Sequence, residues 1–510
     1  MEALTPGGAL VFIGFMGAGK STAVRTAAAS GLTTIDTDQR MVEALGMSIP
    51  DYFERHGEAA FREREEAVVC DVLEAVGDGA IALGGGSVLS PRVRASLARH
   101  TVVHLEVGPD TAWARAAGRG RPLAADRAAF TARHAERSEI YASLAGATLP
   151  EGSAVDAALP SLLALRGAPG PTRLLWATTA SSAYPVFIGR GLLQSGFWPL
   201  AGRRFVVTDG RVAGLYADAL GRSLGCASIM PGEQSKTVAH AEIVWTEMAR
   251  AGVTRADHVA ALGGGVVGDL AGFCAATYQR GIPVVQVPTT LVAQVDSAYG
   301  GKTGVDLAEA KNYVGVYHQP AAVLVDPGVL DTLPGAERAA GFAEVVKTAL
   351  IAGGTLWERV RSGGSAVDED IIFECARTKL AIVAQDERDG GRRQLLNLGH
   401  TVGHAIETVT GYARYRHGEA VGLGLLAALR LSGQDALRTE VAALLEANGL
   451  PTELRDVDVD AVVLATHRDK KRLGEAATPF VLVNAPGSVE PGRTVAPDAL
   501  RAAVAELVAP

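Results

Sequence analysis

Up to about position 330 the apolar residues gather in short runs that end in glycine, whereas beyond it alanine and leucine recur at helical spacing. Ala9-Leu-Val-Phe-Ile13, Ala80-Ile-Ala-Leu83, Thr101 to Val107, Arg204-Phe-Val-Val-Thr208 and His258-Val-Ala-Ala-Leu262 read as buried strands. Between the first three and the last two, an Ala/Leu-rich segment predicts a helix, and Gly167-Ala-Pro-Gly-Pro171 interrupts helix and strand alike. The chain of 510 residues exceeds one ordinary core. The class is α/β: a domain with a parallel sheet over 1–166, a linker over 167–171, a second α/β domain over 172–330, and an all-α domain over 331–510.

Several strand ends carry chemistry. Gly14-Phe-Met-Gly17-Ala-Gly19-Lys20-Ser21-Thr22 joins the first strand to helix-forming residues and is a complete phosphate loop. Gly17 and Gly19 let backbone N–H groups converge on phosphate, Lys20 reaches the outer phosphates, and the Ser21 hydroxyl is placed for Mg²⁺. Asp36 and Asp38 end the next apolar run, at the sheet edge where ligands bind in such folds. In the second half, Asp209 closes a strand as an acid suited to a ribose hydroxyl. Gly263-Gly264-Gly265-Val266-Val-Gly268-Asp269 satisfies G-x-G-x-x-G between strand and helix, but no acid follows at the usual spacing. Polar loops at Glu233 to Lys236 and at Thr289-Thr290 to Asp296 open further helices, and Lys302 stands in a glycine frame with Lys311-Asn312 close behind.

The stretch from Arg393 through Asn397, His400, His404 and Glu407 to His417 and Glu419 gathers more polar chemistry than an ordinary amphipathic helix needs. In a helix, His400, His404 and Glu407 fall at i, i+4 and i+7 on one face, as metal ligands do. A catalytic zinc takes three such ligands, and spacing alone does not select them.

Composition excludes several classes. A net charge of −8 with 20% charged residues does not describe a nucleic-acid binder. Cys70, Cys226, Cys274 and Cys375 lack paired spacing, so neither a disulfide framework nor a cysteine-ligated zinc is expected. With no apolar run long enough for a bilayer and an acidic Glu2 near the start, the expected location is cytoplasmic, with no membrane partner.

Gly57-Glu58-Ala-Ala-Phe61-Arg62, the triple glycine Gly84-Gly85-Gly86 and Arg121-Pro122-Leu123, taken with the phosphate loop and Asp36-Thr37-Asp38, resemble shikimate kinase. The resemblance implies ATP with Mg²⁺ on Lys20, Ser21 and Thr22, Asp36 beside the attacking hydroxyl, and Arg62 and Arg137 on the acceptor carboxylate. It further implies that Gly84, Gly85 and Gly86 line the substrate and that Arg121, with Arg115 and Arg119, belongs to a lid.

From about residue 172 the motifs, including Gly341-Phe-Ala-Glu344-Val-Val-Lys347, resemble 3-dehydroquinate synthase. That implies Zn²⁺ (or Co²⁺) on Glu344, His400 and His417, with His404 as a catalytic group beside them. NAD⁺ would lie on Asp209, Glu233, Lys236, Gly264, Gly265, Val266, Asp269, Thr289 and Thr290. A heptulosonate phosphate would meet Arg280, Asp296, Lys302, Lys311, Asn312, Lys347, Lys379, Arg393 and Asn397, with Lys470 or Lys471 as a further cation. The small-molecule enzyme would be a homodimer through this half. One departure stands out: the family's Gly-Val-Asn-His-Pro is Gly304-Val305-Asp306-Leu307-Ala308 here. Alternatives are another sugar-phosphate cyclase or a polyol dehydrogenase for the second half, and an ATP-sensing module for the first.

Overall fold

The computed structural model describes residues 8–117, 126–307, 311–364, 366–467 and 478–508. It divides into two compact units: residues up to 178 with 183–199, and residues 179–182 with those from 200 onward.

In the first unit, strands β1 (Leu10–Ile13), β2 (Thr33–Asp36), β3 (Gly79–Ala82), β4 (Thr101–Leu105) and β5 (Ala147–Leu149) alternate with helices α1 (Lys20–Ala29), α2 (Thr37–Leu45), α3 (Ile49–Ala75), α4 (Pro91–Leu97), α5 (Pro109–Ala116), α6 (Arg127–Leu144) and α7 (Val155–Leu165). The strands pair in parallel in the order β2-β3-β1-β4-β5. Strand β6 (Arg173–Thr178) adds parallel to β5, and β7 (Ala183–Ile188) returns antiparallel to it. The Gly167–Pro171 break therefore lies between α7 and β6, within this unit. Val11, Ile13, Val69, Leu73, Ile81 and Phe130 are buried in the unit's apolar core. Within α3, Gly57 adopts φ 79°, ψ 172° and breaks the helix, so Glu58 to Glu65 begin a fresh run of turns.

The second unit has a parallel sheet in the order β14-β11-β10-β8-β9, built from β8 (Arg204–Asp209), β9 (Cys226–Ile229), β10 (His258–Gly263), β11 (Val284–Pro288) and β14 (Ala322–Val325). Helices α8 (Gly210–Tyr216), α9 (Val238–Arg250) and α10 (Gly265–Thr277) accompany it, and β12 (Lys302–Val305) pairs antiparallel with β13 (Val314–Tyr317). Helices α11 (Gly335–Ala352), α12 (Gly354–Gly363), α13 (Glu369–Gln385), α14 (His400–Val409), α15 (His417–Leu431), α16 (Asp435–Ala447), α17 (Val459–Thr466) and α18 (Pro497–Ala505) follow. The expectation of an all-α segment beyond 331 is corrected by a hairpin of β15 (Phe480–Ala485) and β16 (Ser488–Arg493). Phe480-Val-Leu-Val favours strand, and Pro486-Gly487, with Gly487 at φ 84°, turns the chain back. No described helix is long and apolar enough to cross a membrane.

Helices α14 and α15 pack at backbone contact through glycine. A Cβ on Gly424 would stand 1.9 Å from the Gly399 carbonyl oxygen, and one on Gly418 1.8 Å from that of Ala340 in α11. The two positions draw α15 against both neighbours. Gly424→Ala is expected to lower stability by about 1–3 kcal/mol or more through overpacking. Gly422→Ala, whose Cβ meets Leu445 no closer than 3.5 Å, should be neutral or stabilising by up to about 1 kcal/mol. Denaturant unfolding of both variants checks this; equal effects would contradict the packing argument.

Candidate functional sites

In the first unit, β1 runs into a loop whose Gly14, Gly17 and Gly19 have φ of 144°, 87° and 97°, and Gly19 caps α1. Lys20 Nζ folds back to donate to the carbonyls of Gly14 (2.9 Å) and Phe15 (3.2 Å), while Ser21 and Thr22 are exposed at the helix start. Arg115 donates to the Gly17 carbonyl at 3.0 Å, which brings a guanidinium to the loop.

Beside this loop lies a pocket wall of cations and bare backbone. Arg62 pairs with Glu65 at 2.6 Å and Glu58 at 3.0 Å. A Cβ on Gly86 would stand 2.1 Å from Arg62 Nη1, so only glycine admits the guanidinium there. The buried Arg137 and Tyr141 both donate to the Gly85 carbonyl, at 3.5 and 2.5 Å. Burial, and Arg62 nearby, lower the Arg137 pKa, and burial pushes the Tyr141 hydroxyl up to about 12, so it remains a donor. Asp36 caps α2 by accepting from the Asp38 N–H at 3.0 Å, and Thr37 Oγ1 accepts from the Gly84 N–H at 2.9 Å. Sequence reasoning missed Glu65, which is buried and also accepts from Ser87 Oγ at 2.8 Å; its i,i+3 spacing from Arg62 was the available signal.

The second unit holds a cavity of 830 Å³. One wall is Asp209, Gly264, Gly265, Val266, Asp269, Thr289 and Thr290; the other is His404, Glu407, Thr408, Tyr412 and His417; Glu233, Lys236, Asp296, Lys311 and Asn312 lie between them. Gly264 is the N-cap of α10, whose first amides face this space. Asp209 caps α8 through Oδ1 alone, at 2.9 and 3.0 Å from the Arg211 and Val212 N–H groups. The Thr289 and Ser297 hydroxyl oxygens are buried and, among the described residues, have no hydrogen-bond partner, as suits a wall awaiting a polar ligand. Lys236 is buried against Asp269 (2.9 Å), Glu233 (3.2 Å) and Asp306 (4.0 Å). Asp306 also accepts from the Asn312 N–H at 2.7 Å and so holds Asn312 in its left-handed conformation of φ 56°.

Glu344 on α11, His400 opening α14 and His417 opening α15 bring their ligand atoms within 4.8 Å of one another. His400 Nε2 and His417 Nε2 lie 3.5 and 3.3 Å from Glu344 Oε1. His400 Nδ1 faces the Leu398 carbonyl at 3.1 Å, which makes Nδ1 the protonated nitrogen and leaves Nε2 for a metal. Two imidazoles and a buried carboxylate suit zinc or cobalt. His404, Glu407 and His417 form a second, overlapping group of the same kind. Burial alone would raise the Glu344 carboxyl, but Lys347, His400 and His417 hold it well below the usual range. His417 is raised to about 10 against its burial by Glu344 and Glu407, so a proton and a cation compete for one imidazole.

A cation cluster adjoins these ligands. Lys347 Nζ is 2.5 Å from Glu344 Oε2 and 3.3 Å from Asp296 Oδ1, and Lys379 Nζ is 3.0 Å from Asp296 Oδ2. Arg393 is buried and donates to the carbonyls of Gly300 (2.9 Å) and Glu387. Lys302 pairs with Asp389 at 2.5 Å, a partner that sequence reasoning did not single out.

Residues 226–340 match the N-terminal part of 3-dehydroquinate synthase and residues 341–472 its C-terminal part. The 3-dehydroquinate synthase of Halorhodospira halophila is 41% identical over 355 residues, covering 66% of this chain and 100% of that protein. This chain belongs to the 3-dehydroquinate synthase family. Ahead of it, residues 16–161 match shikimate kinase, so the chain carries a kinase domain fused to synthase domains. The solved 2-epi-5-epi-valiolone synthase from Streptomyces hygroscopicus subsp. jinggangensis 5008, with NAD⁺ and Zn²⁺ bound, is 26% identical with a TM-score of 0.60, covering 65% of this chain and 98% of that one. A 2-deoxy-scyllo-inosose synthase complexed with carbaglucose-6-phosphate, NAD⁺ and Co²⁺ shares the fold at TM-score 0.58 and 23% identity, covering 66% of this chain and 100% of that one.

Within the synthase unit, the structure thus brings together the glycine-capped cavity wall, the Glu344 cluster and Lys347, Lys379 and Asp296. Asn397 is half-buried just before α14. Arg280 is exposed, in a left-handed conformation, and does not line the cavity. Arg119, Arg121, Lys470 and Lys471 lie outside the described residues, as do positions 308–310.

Burial pushes the Lys379 ammonium down to about 8, Asp296 opposing and Lys347 and Arg393 assisting. Lys379 is therefore charged below pH 8 and neutral above it, so anion binding at this cluster should weaken as pH rises through about 8. Lys379→Arg keeps its charge and should shift that loss upward, as titration calorimetry with inorganic phosphate between pH 7 and 9 would read; superimposable profiles would contradict the assignment.

Proposed function

We propose that the chain is a bifunctional enzyme. Its kinase unit transfers the γ-phosphoryl group of ATP to the 3-hydroxyl of shikimate. Its synthase unit converts 3-deoxy-arabino-heptulosonate 7-phosphate to 3-dehydroquinate and phosphate with NAD⁺ and a divalent metal. The observation that carries the synthase reading is that His417, whose ligand atom lies within 4.8 Å of those of Glu344 and His400, lines the same cavity as the glycine-capped wall of Gly264 and Gly265.

In the kinase unit, the loop of Gly14 to Thr22 is the phosphate loop. With ATP bound, Lys20 would leave its carbonyl partners for the outer phosphates, with Arg115 alongside, and the Ser21 hydroxyl would help hold Mg²⁺. Arg62 and Arg137 clamp the acceptor carboxylate against Gly84 to Gly86. Asp36, one oxygen of which caps α2, takes the proton of the attacking hydroxyl with the other.

In the synthase unit, Asp209 would orient a ribose hydroxyl of a bound dinucleotide and the amides of Gly264 and Gly265 would receive its pyrophosphate. Glu344, His400 and His417 would hold Zn²⁺ or Co²⁺, which supplies Lewis acidity at a secondary hydroxyl while the dinucleotide supplies a hydride acceptor. Lys302, Lys347, Lys379 and Arg393 hold the carboxylate and phosphate of the substrate, Asn312 and Asn397 its hydroxyls. His404, on the cavity wall, moves a proton at the reacting end. The 41% identity to a dehydroquinate synthase supports this substrate over those of the other cyclases. We further propose a cytoplasmic homodimer assembled through the synthase half.

Paired variants separate the two activities. Glu344→Ala should reduce synthase kcat/KM by at least about 10³-fold and leave the kinase within twofold. Arg62→Ala should raise the KM for shikimate by about tenfold or more with the KM for ATP and the synthase unchanged. Retained cyclisation in the first variant, or an unchanged shikimate KM in the second, would overturn the corresponding assignment.

A further inference from the structure

His417 belongs to two overlapping groups of possible metal ligands, one with Glu344 and His400, the other with His404 and Glu407. The two demands fall on different ring nitrogens. Nε2 faces Glu344 Oε1 at 3.3 Å, and Nδ1 faces Glu407 Oε2 at 3.4 Å. A neutral imidazole carries one proton, so one nitrogen can give a lone pair to a cation while the other donates.

Glu407 decides which. It lies seven residues after His400, two turns along the same face of α14, and only 5% of its side chain is exposed. Its other oxygen, Oε1, is already engaged: Lys311 Nζ stands 3.5 Å away and also lies 4.2 Å over the Tyr412 ring. A carboxylate that accepts from Nδ1–H on one side and faces an ammonium on the other has its charge compensated without a metal. It leaves His417 Nε2 as the free lone pair, pointed at Glu344. His400 reaches the same tautomer by another device, its Nδ1 against the Leu398 carbonyl at 3.1 Å. The close glycine packing of α14 on α15 holds His417 and Glu407 in register.

We propose that Glu407 is a positioning residue and not a metal ligand: it accepts the Nδ1 proton of His417 and so selects the Glu344, His400 and His417 set as the metal site. The inference rests on the metal reading given above. A carboxylate partner also makes the imidazole more basic than a carbonyl partner does, so its removal weakens metal binding as well as loosening the ring.

The test is the zinc affinity of the full-length protein, stripped of metal and titrated in competition with a chromogenic chelator, with folding followed by circular dichroism. Glu407→Ala is expected to weaken zinc about 10- to 100-fold. Glu407→Gln, which keeps the shape and an acceptor oxygen, should weaken it about tenfold and guards against a folding defect in the first variant. His417→Ala and Glu344→Ala mark the loss of a true ligand. Affinity within threefold of wild type in either Glu407 variant would overturn the proposal, as would a loss as complete as that of His417→Ala, which would make Glu407 a ligand. A wild-type protein binding zinc no tighter than Glu344→Ala would remove the metal reading and the inference together, and is recognised because the whole series is then flat.

Discussion

The buried carboxylate of Glu344 is the constraint on which the synthase unit depends. At 1% exposure it cannot remain ionised without compensation. That compensation comes from Lys347 one helical turn away and from His400 and His417 on two other helices. Removing any of them weakens the compensation of a buried charge. Lys347 is in turn tied to Asp296, and Asp296 to Lys379, so the charges alternate from the proposed metal ligands into the neighbouring cation cluster. The cations proposed to meet the substrate are thus held in place by the same electrostatics that compensate Glu344.

Glu344, His400 and His417 come from three helices to one point, and the backbones there approach more closely than side chains permit. Gly418 and Gly424 supply that approach, against Ala340 in α11 and Gly399 at the start of α14. Gly399, in a left-handed conformation, also starts α14 immediately before His400. Chemistry and packing are therefore set by the same short stretches, and a change meant to alter one will disturb the other. The kinase unit uses the device on a smaller scale: bare backbone at Gly86 lets the Arg62 guanidinium lie against it.

What was legible in the sequence was what is local. The loop of Gly14 to Thr22, the glycine run at Gly263 to Gly265 and the i,i+4 histidines carry their spacing on the chain, because each is made by one strand end or one helix. The hairpin of β15 and β16 went unread because Ala/Leu-rich segments flank it on both sides. Glu65 could have been read from its i,i+3 spacing to Arg62, but Asp389 and the role of Glu407 were not legible, since each depends on a partner that only the tertiary fold brings near. Asp306 shows the reverse case. Read as a departure from its family, it places a carboxylate oxygen where it accepts the Asn312 N–H and supports that residue's left-handed conformation.

The larger part of the chain belongs to a family of cyclising lyases, and a kinase domain stands ahead of it. The most direct measurement is phosphate release by the purified full-length protein given 3-deoxy-arabino-heptulosonate 7-phosphate and NAD⁺, with product analysis, before and after chelation and on return of Zn²⁺ or Co²⁺. The account predicts release matched by dehydroquinate, lost with chelator and restored by the ion. Release that persists through chelation, or no release of phosphate at all from this substrate, would contradict it.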